Sequence, residues 1–196
     1  GYLPEIHTKI QDVSLAAGIK GKWNGWNVDL SNTFGQNGFD YTIENTGNTS
    51  LRFNSPSTFK AGGLQFLQNT INLDFSKQFD VFEGLNVAFG AEQRHENFKE
   101  NPGEAASYTA YDIYGNPQTA ATSSSDKPTD FFGAALPGSS QVFAGFREAN
   151  RTDKNRNAYA AYADVEFNFT NWLLVDAAVR YEDYSDFGST FNYKLA

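Results

Sequence analysis

The chain has 196 residues, a formal net charge of −8 and a pI of about 4.7, a balance that sets nucleic-acid phosphate aside as a partner. It contains no cysteine, which removes disulfides, Cys-ligated zinc and thiol catalysis from consideration. Mean hydropathy is −0.52, and no stretch approaches the roughly 18 apolar residues of a membrane-spanning helix. That low average does not argue against a membrane β-barrel, whose strands alternate lipid-facing with lumen-facing residues. Aromatic residues reach 16%, alongside 17 glycines, a composition that favours strands and membrane interfaces.

Period-two alternation recurs along the chain and predicts seven strands. In the first run, Asp12 to Gly21, Val13, Leu15, Ala17 and Ile19 share one face. A tight turn at Lys22-Trp23-Asn24-Gly25 leads to a second run with Trp26, Val28, Leu30 and Phe34 on one face, Asn32 being the exception, and Asn27, Asp29, Ser31 and Thr33 on the other. A polar segment at about 35–63 follows and reads as a long loop. The third run sets Leu67, Ile71, Leu73 and Phe75 against Gln68, Thr70, Asn72 and Asp74, with Asn69 breaking the apolar face once. After a turn at Asp80 to Gly84, the fourth sets Leu85, Val87, Phe89 and Ala91 against Asn86, Glu92 and Arg94. The longest insertion, about 97–155, holds four of the six prolines. The fifth run then places Tyr159, Ala161, Ala163, Val165, Phe167 and Phe169 opposite Tyr162, Asp164 and Glu166. A short turn at Thr170-Asn171 gives the sixth, with Leu173, Val175, Ala177, Val179 and Tyr181 against Asp176, Arg180 and Glu182. Phe191, Tyr193 and Leu195 begin a seventh.

The runs are about 9–12 residues, near the length of a tilted spanning strand. One face carries Asp, Glu, Arg and Lys in mid-strand while the other is nearly free of charge. The first five gaps run short, long, short, long, short, as periplasmic turns and extracellular loops do in outer-membrane barrels; the sixth is short where the rule wants a long one. These observations predict an all-β, antiparallel up-and-down transmembrane β-barrel segment. A soluble β-sandwich or lipocalin-like barrel shares the alternation, but ordinary strands run only about 5–6 residues and a loop of nearly sixty residues is unusual in a compact domain. Trp23, Trp26, Phe75, Phe79, Phe82, Trp172, Tyr181 and Tyr184 at strand ends suit interfacial aromatic girdles. With no methionine and no signal-peptide pattern in Gly1 to Ile10, the chain is expected to be part of a longer protein.

Several stretches resemble the barrel of TonB-dependent receptors. Tyr2-Leu3-Pro4-Glu5-Ile6, followed by Asp12-Val13-Ser14-Leu15-Ala16-Ala17-Gly18-Ile19, is similar to the entry into their mid-barrel strands, and Gly25 to Gly35 to the next strand. Phe59-Lys60-Ala61-Gly62-Gly63 and Gln68 to Asp74 resemble the return strand; Arg156 to Tyr162 and Arg180-Tyr181-Glu182-Asp183-Tyr184-Ser185-Asp186-Phe187-Gly188-Ser189-Thr190 resemble the later hairpin. The likeness covers most of the chain outside Asn97 to Ser139. One departure is Phe143-Ala144-Gly145-Phe146, where the family often has Phe-Pro-Gly-Phe. The resemblance implies that residues 1–196 supply about seven strands of a 22-stranded barrel closed by an N-terminal plug lying upstream.

Few residues suggest chemistry. His7 and His95 are the only histidines and lack the clustered partners of a metal site. Glu182, Asp183 and Asp186 do not follow a calcium-loop spacing. Gly84 and Gly90 open no helix and read as turn and strand glycines, and no nucleophile signature accompanies either histidine. No catalytic residue, metal or cofactor is expected. The long loop is the best binding candidate: Tyr108, Tyr111, Tyr114, Phe131, Phe132, Phe143, Phe146 and Arg147 combine aromatic faces with a cation, a set suited to a hydrophobic or carbohydrate ligand, with Arg147 free to meet a carboxylate or anionic chelate. The same aromatics could instead pack the loop onto itself.

The resemblance implies uptake across the outer membrane of a Gram-negative bacterium. Extracellular loops would capture a scarce iron chelate, cobalamin or oligosaccharide, and TonB would move the plug using the inner-membrane proton gradient. The implied partners are outer-membrane lipid, a small-molecule or oligosaccharide ligand, and TonB through the missing N-terminal region. A passive porin or adhesive barrel, and a soluble ligand-binding β-protein, are the alternatives.

Overall fold

The computed structural model describes Leu3–Ala196; Tyr2, which opens the first of the resembling stretches, lies outside the described residues. Seven strands follow one another as β1 (Glu5–Trp23), β2 (Trp26–Glu44), β3 (Phe59–Phe79), β4 (Gly84–Pro102), β5 (Thr152–Thr170), β6 (Leu173–Tyr184) and β7 (Gly188–Leu195). They form one antiparallel sheet in the order β1-β2-β3-β4-β5-β6-β7, each strand hydrogen-bonded to its neighbours in sequence. The sheet is not closed, and β1 and β7 are its edges. A single helical turn, α1 (Ala105–Tyr108), and three short 3-10 segments complete the described elements, and no described helix is long and apolar enough to cross a membrane.

The seven strands are the seven predicted by alternation, but five of them are 19–21 residues long rather than about 9–12. The loops expected at about 35–63 and 97–155 are correspondingly shorter, since β2 continues to Glu44, β3 begins at Phe59, β4 continues to Pro102 and β5 begins at Thr152. The reason is physical. Alternation requires one wet and one dry face, whereas main-chain pairing does not. Where both faces are polar, as in Gly35-Gln36-Asn37-Gly38, the ladder persists while the pattern that betrays it disappears.

The described residues divide into two compact units. One combines the segment up to Asp12 with Asn37–Phe66 and Phe98–Lys154 and contains the long connections. The other combines Val13–Gln36, Leu67–Asn97 and Asn155–Ala196 and contains the short turns.

In the second unit the two faces of the sheet are inverted relative to a soluble protein. On β6, Val179 and Tyr181 are 44% and 48% exposed, while the side chains of Asp176 and Glu182 are only 13% and 16% exposed. Ile71, Leu73, Phe89 and Val165 are likewise exposed, whereas Thr70, Ala158 and Ala160 on the opposite parity are buried. The β5–β6 register keeps the faces separate: Val165 pairs with Ala177 and Ala163 with Val179 on the apolar side, Tyr162 with Arg180 and Glu166 with Asp176 on the polar side.

The polar face is laced across strands. Arg180 reaches Glu92 at 3.3 Å and Glu182 at 2.8 Å, Arg156 holds Glu96 at 2.5 Å, and the Tyr162 hydroxyl donates to Asp74 at 2.7 Å. Lys194 pairs with Asp176, which answers the like charge that Glu166 presents directly across the ladder. Tyr184, grouped with the girdle aromatics in the sequence, belongs to this face: its hydroxyl accepts from Arg94 at 3.3 Å.

The short turns carry aromatic clusters. β1 and β2 are joined by Asn24-Gly25 with φ of 48° and 80°, the type I′ geometry that suits a twisted hairpin. Beside it, Trp26 packs edge-on to Phe79 and Phe89 at 6.0 and 5.2 Å, and Phe75 stacks on Phe89 at 5.0 Å. Lys77, a cation on the apolar parity, sits over the Phe79 ring at 5.0 Å and donates to the Asn24 carbonyl at 3.3 Å. Its stem runs along apolar surface and its charge is carried to the strand end.

The face assignment gives a test by charge insertion. If the exposed apolar face meets lipid, Leu73→Arg should destabilise the folded protein in bilayers by about 2 kcal/mol or more relative to Asn72→Arg, because only the first would then place a cation in hydrocarbon. Equal costs in reversible denaturant titrations from lipid vesicles would refute the assignment.

Candidate functional site

The long connections fold as a small packed body built on one buried asparagine. Asn48 is fully buried. Its amide donates to the carbonyls of Ala106 and Thr109, both at 2.8 Å, and its side-chain oxygen accepts from the Ser50 main chain and hydroxyl at 3.2 and 2.6 Å. The Ser50 hydroxyl oxygen in turn accepts from the Tyr111 N–H at 2.9 Å. Thr46 and Gln141 exchange two hydrogen bonds at 3.0 and 3.1 Å. The connection after β2 is thereby tied to the much longer one after β4.

A second anchor is Ser107, also fully buried. Its carbonyl accepts from the N–H groups of Ser140 and Gly145 at 3.1 and 3.0 Å. Gly145 lies so close that a Cβ there would collide with the Ser107 side chain. The Phe146 N–H donates to the Ala61 carbonyl at 2.9 Å, and its carbonyl accepts from Gly103 at 2.9 Å. The Phe143-Ala144-Gly145-Phe146 stretch therefore runs as a strap over the start of β3. Its two rings contact Tyr41, at 5.4 Å from Phe143 and 6.0 Å from Phe146.

The middle of the insertion builds the same turn twice. In Asp112-Ile113-Tyr114-Gly115, one Asp112 carboxylate oxygen accepts from the N–H groups of Tyr114 and Asn116 at 2.9 and 2.8 Å. In Asp130-Phe131-Phe132-Gly133, Asp130 accepts from Phe132 and Ala134 at 2.9 and 2.8 Å. Both turns close with a glycine at positive φ, 86° at Gly115 and 81° at Gly133, and both are pinched by a β-bridge, Tyr111 to Pro117 and Thr129 to Ala135. Each presents apolar side chains outward: Ile113 and Tyr114 are exposed, and Phe131 and Phe132 are 95% and 89% exposed. The Asn116 N–H, followed by its side chain and the N–H groups of Tyr114 and Gly115, holds Asp112 below the usual carboxylate range, so the first turn keeps its cap through neutral pH.

The eight residues singled out in the sequence do not form one cluster. Phe143 and Phe146 meet each other and Tyr41; Tyr114, Phe131 and Phe132 sit at the two turn tips; Tyr111 supports the first tip through its main chain; Tyr108 ends α1; and Arg147 is exposed, preceding the 3-10 turn Glu148–Asn150. Tyr41 was missed because it lies in a stretch read as loop and actually belongs to β2. The repeated Asp-x-aromatic-Gly motif that gives the tips their shape also went unread, although Asp112-Ile113-Tyr114-Gly115 and Asp130-Phe131-Phe132-Gly133 are a signal that could have found them. His95 shares a hydrogen bond with Asn157 at 2.8 Å, and His7 lies 3.1 Å from Glu5 and 3.5 Å from Glu44; both are accounted for by these neighbours. Glu182 and Asp186 face Arg180 and Arg156.

Residues 5–196 match the protein family described as TonB dependent receptor-like, β-barrel. A search of curated proteins returned no match.

Asn48 offers a test of the packed loop body. Asn48→Ala leaves two buried carbonyls and the Ser50 hydroxyl short of partners, at a cost of roughly 2–4 kcal/mol. The expected result is faster hydrogen exchange and proteolysis across residues 103–151, with the strands still protected. Unchanged exchange in these loops would contradict the hub.

Proposed function

The chain belongs to the TonB-dependent receptor β-barrel family, and on that basis we propose that it forms part of an outer-membrane transporter that captures a solute with extracellular loops and takes it up with TonB energy coupling. The observation that carries the reading is the inverted sheet. A face of Leu, Val and Phe left exposed beside a face of shielded, cross-linked charge is stable against lipid and unfavourable in water. The aromatic clusters at the short turns, with Lys77 among them, suit an interface between hydrocarbon and headgroups. In this reading the open edges of β1 and β7 pair with further strands of the same receptor, since unsatisfied edges are not tolerated in lipid.

The packed connections suit capture. Loops held by a rigid frame commonly carry binding, and here their own hydrogen-bonded core fixes which side chains face outward. Tyr114, Phe131 and Phe132 are exposed on turns that need none of these rings for their geometry, so they are available to a ligand. Iron chelates, cobalamin and oligosaccharides are the solute classes this reading admits, and a passive porin is the alternative it must exclude.

The test uses the complete receptor in its host. Deleting its gene should impair growth when one nutrient is limiting, and deleting TonB should reproduce the defect. Changing Tyr114, Phe131 and Phe132 together to Ala should leave outer-membrane assembly and heat-modifiability intact while lowering uptake of that nutrient at least tenfold. Uptake independent of TonB would identify a passive channel instead, and full uptake by the triple variant would remove the tips from the capture site.

A further inference from the structure

The connection after β2 and the first aromatic turn enclose a cavity of about 370 Å³, with Ser50–Asn54 as one wall and Asp112–Gly115 as the other. That volume is within the range of small-molecule sites, roughly 300–1,000 Å³. Its walls are fixed before any ligand arrives: the Tyr111 N–H on the Ser50 hydroxyl ties one to the other, and Asp112 locks the second wall through its own turn.

Arg52 is the unusual residue here. Its backbone adopts φ 51° and ψ −128°, the first central position of a type II′ turn, where glycine is the ordinary occupant. Keeping an arginine in that conformation is strained, and such strain collects at binding sites. The reversal leaves Phe53 fully exposed and puts Arg52 on the cavity wall. Among the described residues its guanidinium has neither an ion pair nor a hydrogen bond. The carboxylate across from it differs: Asp112 already accepts from two N–H groups and from the Asn116 amide at 3.3 Å. The cavity thus offers one unanswered cation, an aromatic residue on each wall in Phe53 and Tyr114, and a polar floor of Asn54 and main chain, the Ser50 hydroxyl beneath being already paired with Asn48 and Tyr111.

We propose that this cavity binds an acidic oligosaccharide, with a uronate carboxylate on the Arg52 guanidinium and the sugar ring against Phe53 and Tyr114. A guanidinium takes a carboxylate through two parallel N–H bonds. The apolar face of a pyranose covers an aromatic ring, and its hydroxyls suit the polar floor. A purely apolar ligand would leave the Arg52 guanidinium unpaired. The inference rests on the transporter reading only for the outward placement of these loops.

The test is calorimetric titration of the complete receptor in detergent with trigalacturonate. Maltotriose serves as the uncharged trisaccharide, and ferric citrate as a carboxylate without a pyranose ring. Wild type should bind trigalacturonate at least tenfold more tightly than either. Arg52→Gly, which suits the backbone angle and so preserves the fold, should weaken trigalacturonate binding at least tenfold and leave maltotriose unchanged. Arg52→Lys should fall between, and Tyr114→Ala should weaken trigalacturonate binding by a similar factor. Absent trigalacturonate binding, equal binding of maltotriose, tighter Arg52-dependent binding of ferric citrate, or indifference to Arg52→Gly and Tyr114→Ala would each overturn the proposal. Binding without TonB-dependent uptake would instead overturn the transporter reading alone, and uptake of another solute with no uronate binding would overturn this one alone.

Discussion

In the unit that holds the short turns, mid-strand charge is kept off one face of the sheet, and the remaining features of those strands follow from that constraint. Each acid or base in mid-strand must then lie on the opposite face, where neighbouring strands bring several together. The sequence meets this by spacing opposite charges to meet across the ladder: Arg180 with Glu92 and Glu182, Arg156 with Glu96, Lys194 with Asp176. Exposed ion pairs contribute little on their own. Their value here lies in allowing a face to carry charge at all while its partner face carries none. Lys77, a charge on the apolar parity, is tolerated because its chain reaches a strand end and its ammonium meets a carbonyl and an aromatic face.

The connections obey a different rule. They contain few buried apolar side chains and are held instead by main-chain groups satisfied from small polar residues. Asn48, Ser50, Ser107 and Ser140 are all buried, and each answers main-chain donors or acceptors that would otherwise be lost to water. Glycine at 145 permits the close approach that this packing needs. A body so constructed can leave its aromatic residues outside. Tyr114, Phe131 and Phe132 are consequently displayed on capped turns, while Tyr41, Phe143 and Phe146 pack among themselves.

The strands were legible wherever one face is dry. Val13 to Ile19, Leu85 to Ala91 and Tyr159 to Phe169 alternate so plainly that the number and order of strands could be read directly. Their ends could not: Gly35-Gln36-Asn37-Gly38 is polar on both faces and breaks the pattern, and beyond it the apolar residues of β2 resume on the other parity as Phe39, Tyr41 and Ile43, with Ile43, Phe59 and Ala61 fully buried rather than exposed. Turn chemistry was visible at Asn24-Gly25. In the long insertion, composition pointed to binding but could not sort the aromatic residues into displayed and packed sets, since that division depends on which main-chain groups Asn48 and Ser107 capture from far along the chain. Arg52 carried no sequence signal of its kind: a positive φ at an arginine is imposed by the surrounding fold and is invisible to local pattern.

Lipid contact on the apolar parity is the claim on which the account stands. Nitroxide labels placed one at a time at Leu15, Leu30, Leu73, Val87, Val165 and Val175 of the complete receptor in liposomes measure it directly, through relaxation by oxygen, which concentrates in hydrocarbon, and by a water-soluble nickel chelate. Strong oxygen and weak nickel relaxation is expected at these positions, with the reverse contrast at Asn72 and Asp176. Nickel accessibility at most of the six would mean that the exposed apolar face is not a lipid face, and the membrane reading would fall with it.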